Sequence, residues 1–215
     1  MTRAKYIHVF DVYWPIGVAA GVLVILATLF AVWRYRAARV GDHWPSGRDE
    51  NMPVEIGYAV FIACIVALLL YVTLSTQSDL NRADAGPVRE TVLVSAAKWN
   101  WRFEYPRYGI VSAGADAGRV LPTLTVPANT PIGFRGTSDD IIHSFYIPHE
   151  RFKRDVFPGR TTHWTMSFAD EALGTHPDWG ACAEFCGAFH SYMKFKVAVL
   201  SPADFQRWVQ EHRTR

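Results

Sequence analysis

The deciding stretch is Cys182-Ala183-Glu184-Phe185-Cys186-Gly187-Ala188-Phe189-His190-Ser191-Tyr192-Met193. It offers two thiols, an imidazole, a thioether and a carboxylate. Soft sulfur donors together with imidazole suit copper or zinc, and magnesium or calcium poorly. A second imidazole, His143, follows the apolar pair Ile141-Ile142 well upstream. Two strand ends meeting a loop would bring it to the same point.

Four chemistries compete for these residues. A structural disulfide between Cys182 and Cys186 explains neither the histidine nor the methionine. A structural zinc site usually spaces its cysteines more closely and has no need of methionine. A mononuclear blue-copper site takes one Cys, two His and a weak Met, which leaves one thiol idle. A second thiolate is what a second copper requires. Two sulfurs then bridge two ions, each ion takes one terminal His, and Met193 and a backbone carbonyl remain as weak outer ligands. The third cysteine, Cys64, lies in an apolar run, where a thiol is usually a small hydrophobe. Three cysteines make no disulfide framework.

Around the loop, short β-branched and aromatic stretches alternate with Pro and Gly, at 90–95, 124–126, 141–147, 161–168 and 195–200. That pattern predicts an all-β sandwich or barrel. Ser201-Pro202-Ala203-Asp204 has the form of a helix start, with Ser as N-cap and Pro at the first helical position. Phe205, Trp208, Val209 and His212 recur at helical spacing beyond it, predicting a short amphipathic terminal helix. The polar segment 75–87 reads as a linker, so the expected division is a membrane part at 1–76 and a β domain at 77–215.

The chain has 215 residues, half of them apolar and 20% charged, a balance tilted toward membrane segments. A net charge of +2, with no basic run or phosphate loop, argues against a nucleic-acid partner. Uncharged apolar runs at 12–33 and 56–74 are each long enough to cross a bilayer as a helix. Trp14, Trp33 and Tyr35 flank the first, as an interfacial aromatic belt requires. That run is too long for a cleaved signal peptide and lacks a small-residue cleavage site. Arg34, Arg36, Arg39 and Arg48 fall between the runs, against Arg3 and Lys5 before them. The positive-inside rule puts the connecting loop in the cytoplasm and both termini outside.

The run C-x-E-x-C-x-x-x-H-x-x-M, with Ile142-His143-Ser144-Phe145 and Phe157-Pro158-Gly159-Arg160 upstream, resembles subunit II of the haem–copper cytochrome c oxidases. The likeness covers nearly the whole chain. It implies a two-helix transmembrane hairpin, then a cupredoxin-like Greek-key sandwich with a short C-terminal helix. It implies a binuclear copper centre held by the side chains of His143, Cys182, Cys186, His190 and Met193 and by the backbone carbonyl of Glu184. The Glu184 side chain would reach a magnesium ion shared with subunit I. Lys98-Trp99-Asn100-Trp101 with Tyr105 is similar to the family's aromatic stretch, which makes Trp99 the implied point of electron arrival and leaves Trp101 as scaffold. Glu55, at the mouth of the second span, matches by position a glutamate that feeds protons to subunit I. Its sequel Ile56-Gly57-Tyr58 lacks the family's usual Trp and Pro.

The implied function is electron transfer in a respiratory terminal oxidase, from a cytochrome c-like donor or small copper protein to haem in subunit I, where oxygen is reduced to water. The implied setting is the cytoplasmic membrane of a prokaryote, with the copper domain on the outer, periplasmic side. The chain has no C-x-x-C-H motif, so no haem of its own is expected. The copper subunit of a nitric oxide reductase is the alternative of the same superfamily. A membrane-tethered copper carrier is the alternative from another class, although one span and an exposed Cys pair would suffice for it. From Gln77 onward, 16 Lys and Arg face 15 Asp and Glu, so the domain lacks the acid surplus that steers basic cytochromes. Asp170, Glu171 and Asp178 are the acidic group nearest in sequence to the metal loop. His149, His163 and His176 are expected to be surface or structural residues.

Overall fold

The computed structural model describes residues 2–36, 50–84 and 86–213. Arg39 and Arg48, half of the charge cluster used for orientation, lie outside the described residues. Helix α1 spans Thr2–Arg34 and helix α2 spans Met52–Asp84. Both are apolar and long enough to cross a membrane. They expose large side chains all round, among them Leu23, Val32, Phe61 and Tyr71, a pattern suited to lipid or partner helices. A lateral polar clasp joins them: the Tyr13 hydroxyl lies 2.7 Å from Thr73 Oγ1 and donates to the Leu69 carbonyl at 3.2 Å, and the Lys5 ammonium pairs with Asp79. In hydrocarbon such hydroxyls need a partner.

The expected linker is partly helix. α2 continues ten residues past Leu74, to Asp84. The segment from Ser75 to Asp84 contains no Gly or Pro, and nothing else in it stops an established helix. Its polarity marks departure from the apolar run and not the end of the helix, which comes just before Gly86-Pro87. The helical part, Tyr6–Ser78, is one compact unit, and the chain from Asp79 onward, together with the N-terminal residues up to Lys5, forms the other.

The second unit is a sandwich of two five-stranded sheets. Its strands are β1 (Glu90–Ala97), β2 (Asn100–Tyr105), β3 (Ile110–Ala113), β4 (Thr123–Pro127), β5 (Ile132–Ser138), β6 (His143–Ile147), β7 (Phe152–Val156), β8 (Thr162–Met166), β9 (Gly174–Cys182) and β10 (Lys194–Leu200). One sheet runs β3-β2-β1-β5-β8 and the other β4-β10-β9-β6-β7. β1 pairs with β5 in parallel, as does β4 with β10. Alternation in β1 and β5 sends every second side chain inward, as the two-residue strand period demands.

Trp101, Phe103, Phe134, Phe145, Trp164 and Phe195 fill the space between the sheets. Phe145 stacks on Phe195 at 4.9 Å, and Phe134 on Trp164 at 5.4 Å, favourable offsets for aromatic pairs. A Cβ at Gly180 would lie 2.2 Å from the Phe195 ring, so β9 approaches β10 this closely only with glycine there. The terminal helix α3 spans Pro202–His212 as expected. The Ser201 hydroxyl accepts the Asp204 N–H at 3.1 Å, a standard N-cap, and Phe205 and Val209 bury the apolar face.

Candidate metal centre

β6 begins at His143 and the antiparallel β9 ends at Cys182, so both reach the same end of the second sheet. The loop from Ala183 to Met193 then returns to β10. Its neck is closed by the Cys182 N–H donating to the Met193 carbonyl at 2.9 Å. The Ala183 N–H donates to the Ser144 carbonyl at 3.0 Å, which ties the loop to β6. Gly187 sits at φ +113, a left-handed backbone with a Cβ position 3.4 Å from the Trp99 ring. Glycine takes that conformation without steric cost.

This framework gathers the soft donors. Cys182 Sγ lies 4.0 Å from Cys186 Sγ and 3.8 Å from His143 Nδ1. Cys186 Sγ lies 3.4 Å from His190 Nδ1 and 3.8 Å from Met193 Sδ. The Glu184 carbonyl oxygen accepts from Cys182 Sγ at 3.3 Å. His143, Cys182, Cys186 and Met193 are buried, and His190 is half-buried. His143, Cys182 and Cys186 form the one metal-competent cluster of three or more such donors among the described residues. The sulfurs are too far apart for a disulfide, which needs about 2.05 Å. They are close enough for a common ion about 2.3 Å from each.

Asp140 is the residue that sequence reading missed. Its Oδ1 lies 2.8 Å from His143 Nε2, on the ring edge opposite Cys182. The Lys98 and Ile141 N–H groups also donate to its carboxylate, at 2.8 and 2.6 Å. Burial raises the pKa of Asp140, but these hydrogen bonds outweigh it and hold the carboxyl down at about 2. Burial pulls His143 down, while Cys182 and Asp140 prevail and raise it. The thiols diverge. Burial raises Cys182, yet His143 and backbone hydrogen bonds at Ser144 and Glu184 bring it below its ordinary value. Cys186 is pushed up to about 12 by burial and by the neighbouring Cys182.

The other expected residues divide. Half-buried Trp99 donates from Nε1 to the Cys186 carbonyl at 3.0 Å and meets Phe189 edge-on. Trp101 is fully buried and donates to the Met193 carbonyl at 3.4 Å. The Glu184 carboxylate points to Lys153, 3.4 Å away. Glu55 belongs to the helical unit, in the first turn of α2, and its Oε1 accepts the Asn51 N–H at 3.0 Å. His149 and His176 are not part of the sulfur cluster; both stack on the Trp179 ring, at centroid distances of 4.0 and 3.6 Å. His163 is exposed on β8. Of the acidic group, Asp170 and Glu171 precede Gly174, the end of β9 away from Cys182, whereas Asp178 is exposed within β9, toward its Cys182 end.

A β-sandwich that closes a loop of two thiols, two imidazoles and a thioether defines a copper domain of cupredoxin type, here preceded by two membrane-length helices. Residues 90–200 match the family described as cytochrome C oxidase subunit II, periplasmic domain. A probable cytochrome c oxidase subunit 2 of Streptomyces coelicolor is 31% identical over 92% of this chain and 72% of its own. Its counterpart in Streptomyces avermitilis is 32% identical over the same shares. Among solved structures, the periplasmic domain of subunit II of cytochrome oxidase from Bradyrhizobium japonicum superposes with a TM-score of 0.51. The identity is 26%, covering 59% of this chain and 95% of that one. The chain belongs to the cytochrome c oxidase subunit II family. It is thereby part of an oxidoreductase complex, and copper binding follows from the family.

Proposed function

We propose that this chain is the electron-accepting subunit of a respiratory terminal oxidase, taking electrons from a cytochrome c-like or small copper-protein donor and passing them to haem in subunit I. The observation that carries the proposal is the convergence of His143, Cys182, Cys186, His190 and Met193 on one buried point. Those side chains, with the Glu184 carbonyl, would hold two copper ions. Copper bound there would supply one-electron redox chemistry. The chain's own residues do the rest. Asp140 fixes the ring of His143, Trp101 packs edge-on to that ring at 6.4 Å, and Trp99 joins the domain surface to the Cys186 backbone.

Further parts of the reading concern neighbours. The Glu184 carboxylate, paired here with Lys153, is positioned at the loop's edge, where a magnesium ion shared with subunit I would draw on it. Glu55 would take up protons on the cytoplasmic side. Residues 1–76 would form the membrane part and 77–215 the copper domain, outside the cytoplasmic membrane of a prokaryote. The test is purification of the assembled complex through this chain. A haem-bearing membrane subunit that reduces oxygen with electrons from a reduced carrier is expected. A partner that reduces nitric oxide and not oxygen would overturn the terminal-oxidase assignment, and absence of any haem partner would favour a tethered copper carrier.

A further inference from the structure

We propose that the turn between β3 and β4 is a positioning element for Met193, with Gly118 as the residue that lets the turn reach the metal loop. This rests on the copper-binding reading above and deepens it by naming what holds the thioether donor in place. The turn is closed at its neck by Ala115 and Val120, whose N–H groups donate to each other's carbonyls at 3.1 and 3.2 Å. Within it Asp116, Ala117 and Gly118 follow one another at φ +52, +50 and +85. Residues other than glycine seldom take a positive φ. Where they do, the surroundings hold them there, and such positions cluster at functional sites.

The turn's contact is with the metal loop. A Cβ on Gly118 would lie 2.2 Å from the Tyr192 carbonyl oxygen and 2.8 Å from its carbonyl carbon. The Gly118 backbone therefore abuts the peptide that joins Tyr192 to Met193. The Gly118 N–H donates to Asn100 Oδ1 at 3.1 Å, which fastens the turn to the start of β2. Tyr192 does little to fix this peptide itself, since its ring is 62% exposed. Met193, by contrast, is fully buried. Its carbonyl accepts the Cys182 N–H at 2.9 Å and the Trp101 ring N–H at 3.4 Å. Its backbone is thus held at the carbonyl by β9 and β2, and at the nitrogen by the peptide against Gly118. Between these two holds the thioether stands 3.8 Å from Cys186 Sγ. A weak axial thioether is a ligand through which copper–thiolate centres are tuned, so a small backbone shift here would be felt in the potential of bound copper.

The test uses the full chain in detergent, loaded with copper. Gly118→Ala introduces the Cβ that the Tyr192 peptide excludes, and Asn100→Ala releases the turn without adding an atom. In each variant copper retention against a chelator should fall about tenfold, the lower end of what loss of a supporting residue costs. The reduction potential and the electron paramagnetic resonance pattern should shift as well. A merely structural role for Gly118 would lower stability and leave the potential and spectrum of the bound centre as they are. The comparison that separates the two uses Met193→Leu, which removes the thioether at similar volume. On that background Gly118→Ala should cause no further shift in potential, because residues acting through one contact are not additive. Equal shifts with and without Met193 overturn the proposal. So do an unmutated potential and spectrum in both Gly118→Ala and Asn100→Ala. An unmutated chain that binds no copper would instead defeat the functional reading itself.

Discussion

Asp140 and His143 meet at 2.8 Å across His143 Nε2, while the other ring nitrogen, Nδ1, faces Cys182 Sγ at 3.8 Å. The carboxylate thus fixes which nitrogen is presented to a metal and makes it a better donor. Removing such a partner commonly lowers metal affinity by about 10–100-fold. Asp140→Asn keeps the size and one acceptor oxygen but loses the charge. Copper retention against a chelator should fall by about that factor, with the domain still folded by circular dichroism. Unchanged retention would show that the backbone N–H bonds, and not His143, are the reason for this carboxylate.

Trp99 is only half-buried and donates from its ring N–H to the Cys186 carbonyl, whereas Trp101, which reaches the Met193 carbonyl, is fully buried. Trp99→Ala should slow electron arrival by about tenfold or more, equivalent to at least ~1.4 kcal/mol of activation free energy. The copper spectrum and donor affinity should stay nearly constant. Stopped-flow mixing with reduced donor makes the measurement, and an unaltered rate would move attention to Trp101.

Tyr105 fastens the two sheets together at the end of β2. Its hydroxyl donates to the Thr125 carbonyl at 2.9 Å and accepts the Thr125 N–H at 2.7 Å. Tyr105→Phe leaves both groups buried without a partner and should cost about 1–3 kcal/mol, read from denaturant unfolding. Burial raises the phenol well above its usual 10.0, against the weaker pull of the Thr125 backbone. The folded state therefore binds that proton more tightly than the unfolded chain. The contribution is full below about pH 10 and is lost as pH rises further, and the phenylalanine variant should lack this alkaline loss.

Glu55 accepts the Asn51 N–H at the start of α2, so a capping role is already visible, and an acid in the first turn suits the helix dipole. If it also admits protons, Glu55→Ala should cut turnover severalfold while electron arrival at copper stays normal. The deficit should appear in reduction of the catalytic haem. Normal turnover in an intact complex would leave Glu55 as a helix-capping residue.

Much of this was legible because its signals are chemical. The run from Cys182 to Met193 needs no fold to be read, and the two apolar runs are defined by length alone. Alternation exposed β1 and β10, whereas β9, read as Gly174-Thr-His-Pro-Asp-Trp-Gly-Ala-Cys182, was hidden by Gly, Pro and Asp, residues that strands usually avoid. Its strand character comes from pairing with β10 and β6 on either side. The extension of α2 to Asp84 was missed because polarity was taken for the end of a helix. Asp140 was missed because an acid in Ser138-Asp139-Asp140 looks like turn chemistry. Only the fold aims its carboxylate at His143. The stacking of His149 and His176 on Trp179 depends on the approach of two separate segments, which no local pattern encodes.

The central claim is that both thiols serve one centre holding two coppers. The direct measurement is copper content together with electron paramagnetic resonance on the full chain, purified in detergent and loaded with copper. The prediction is two coppers per chain and a mixed-valence signal whose hyperfine splitting comes from both nuclei. Cys182→Ser and Cys186→Ser should each abolish it. A stable, full-intensity blue site with one copper in the unmutated chain would contradict the account.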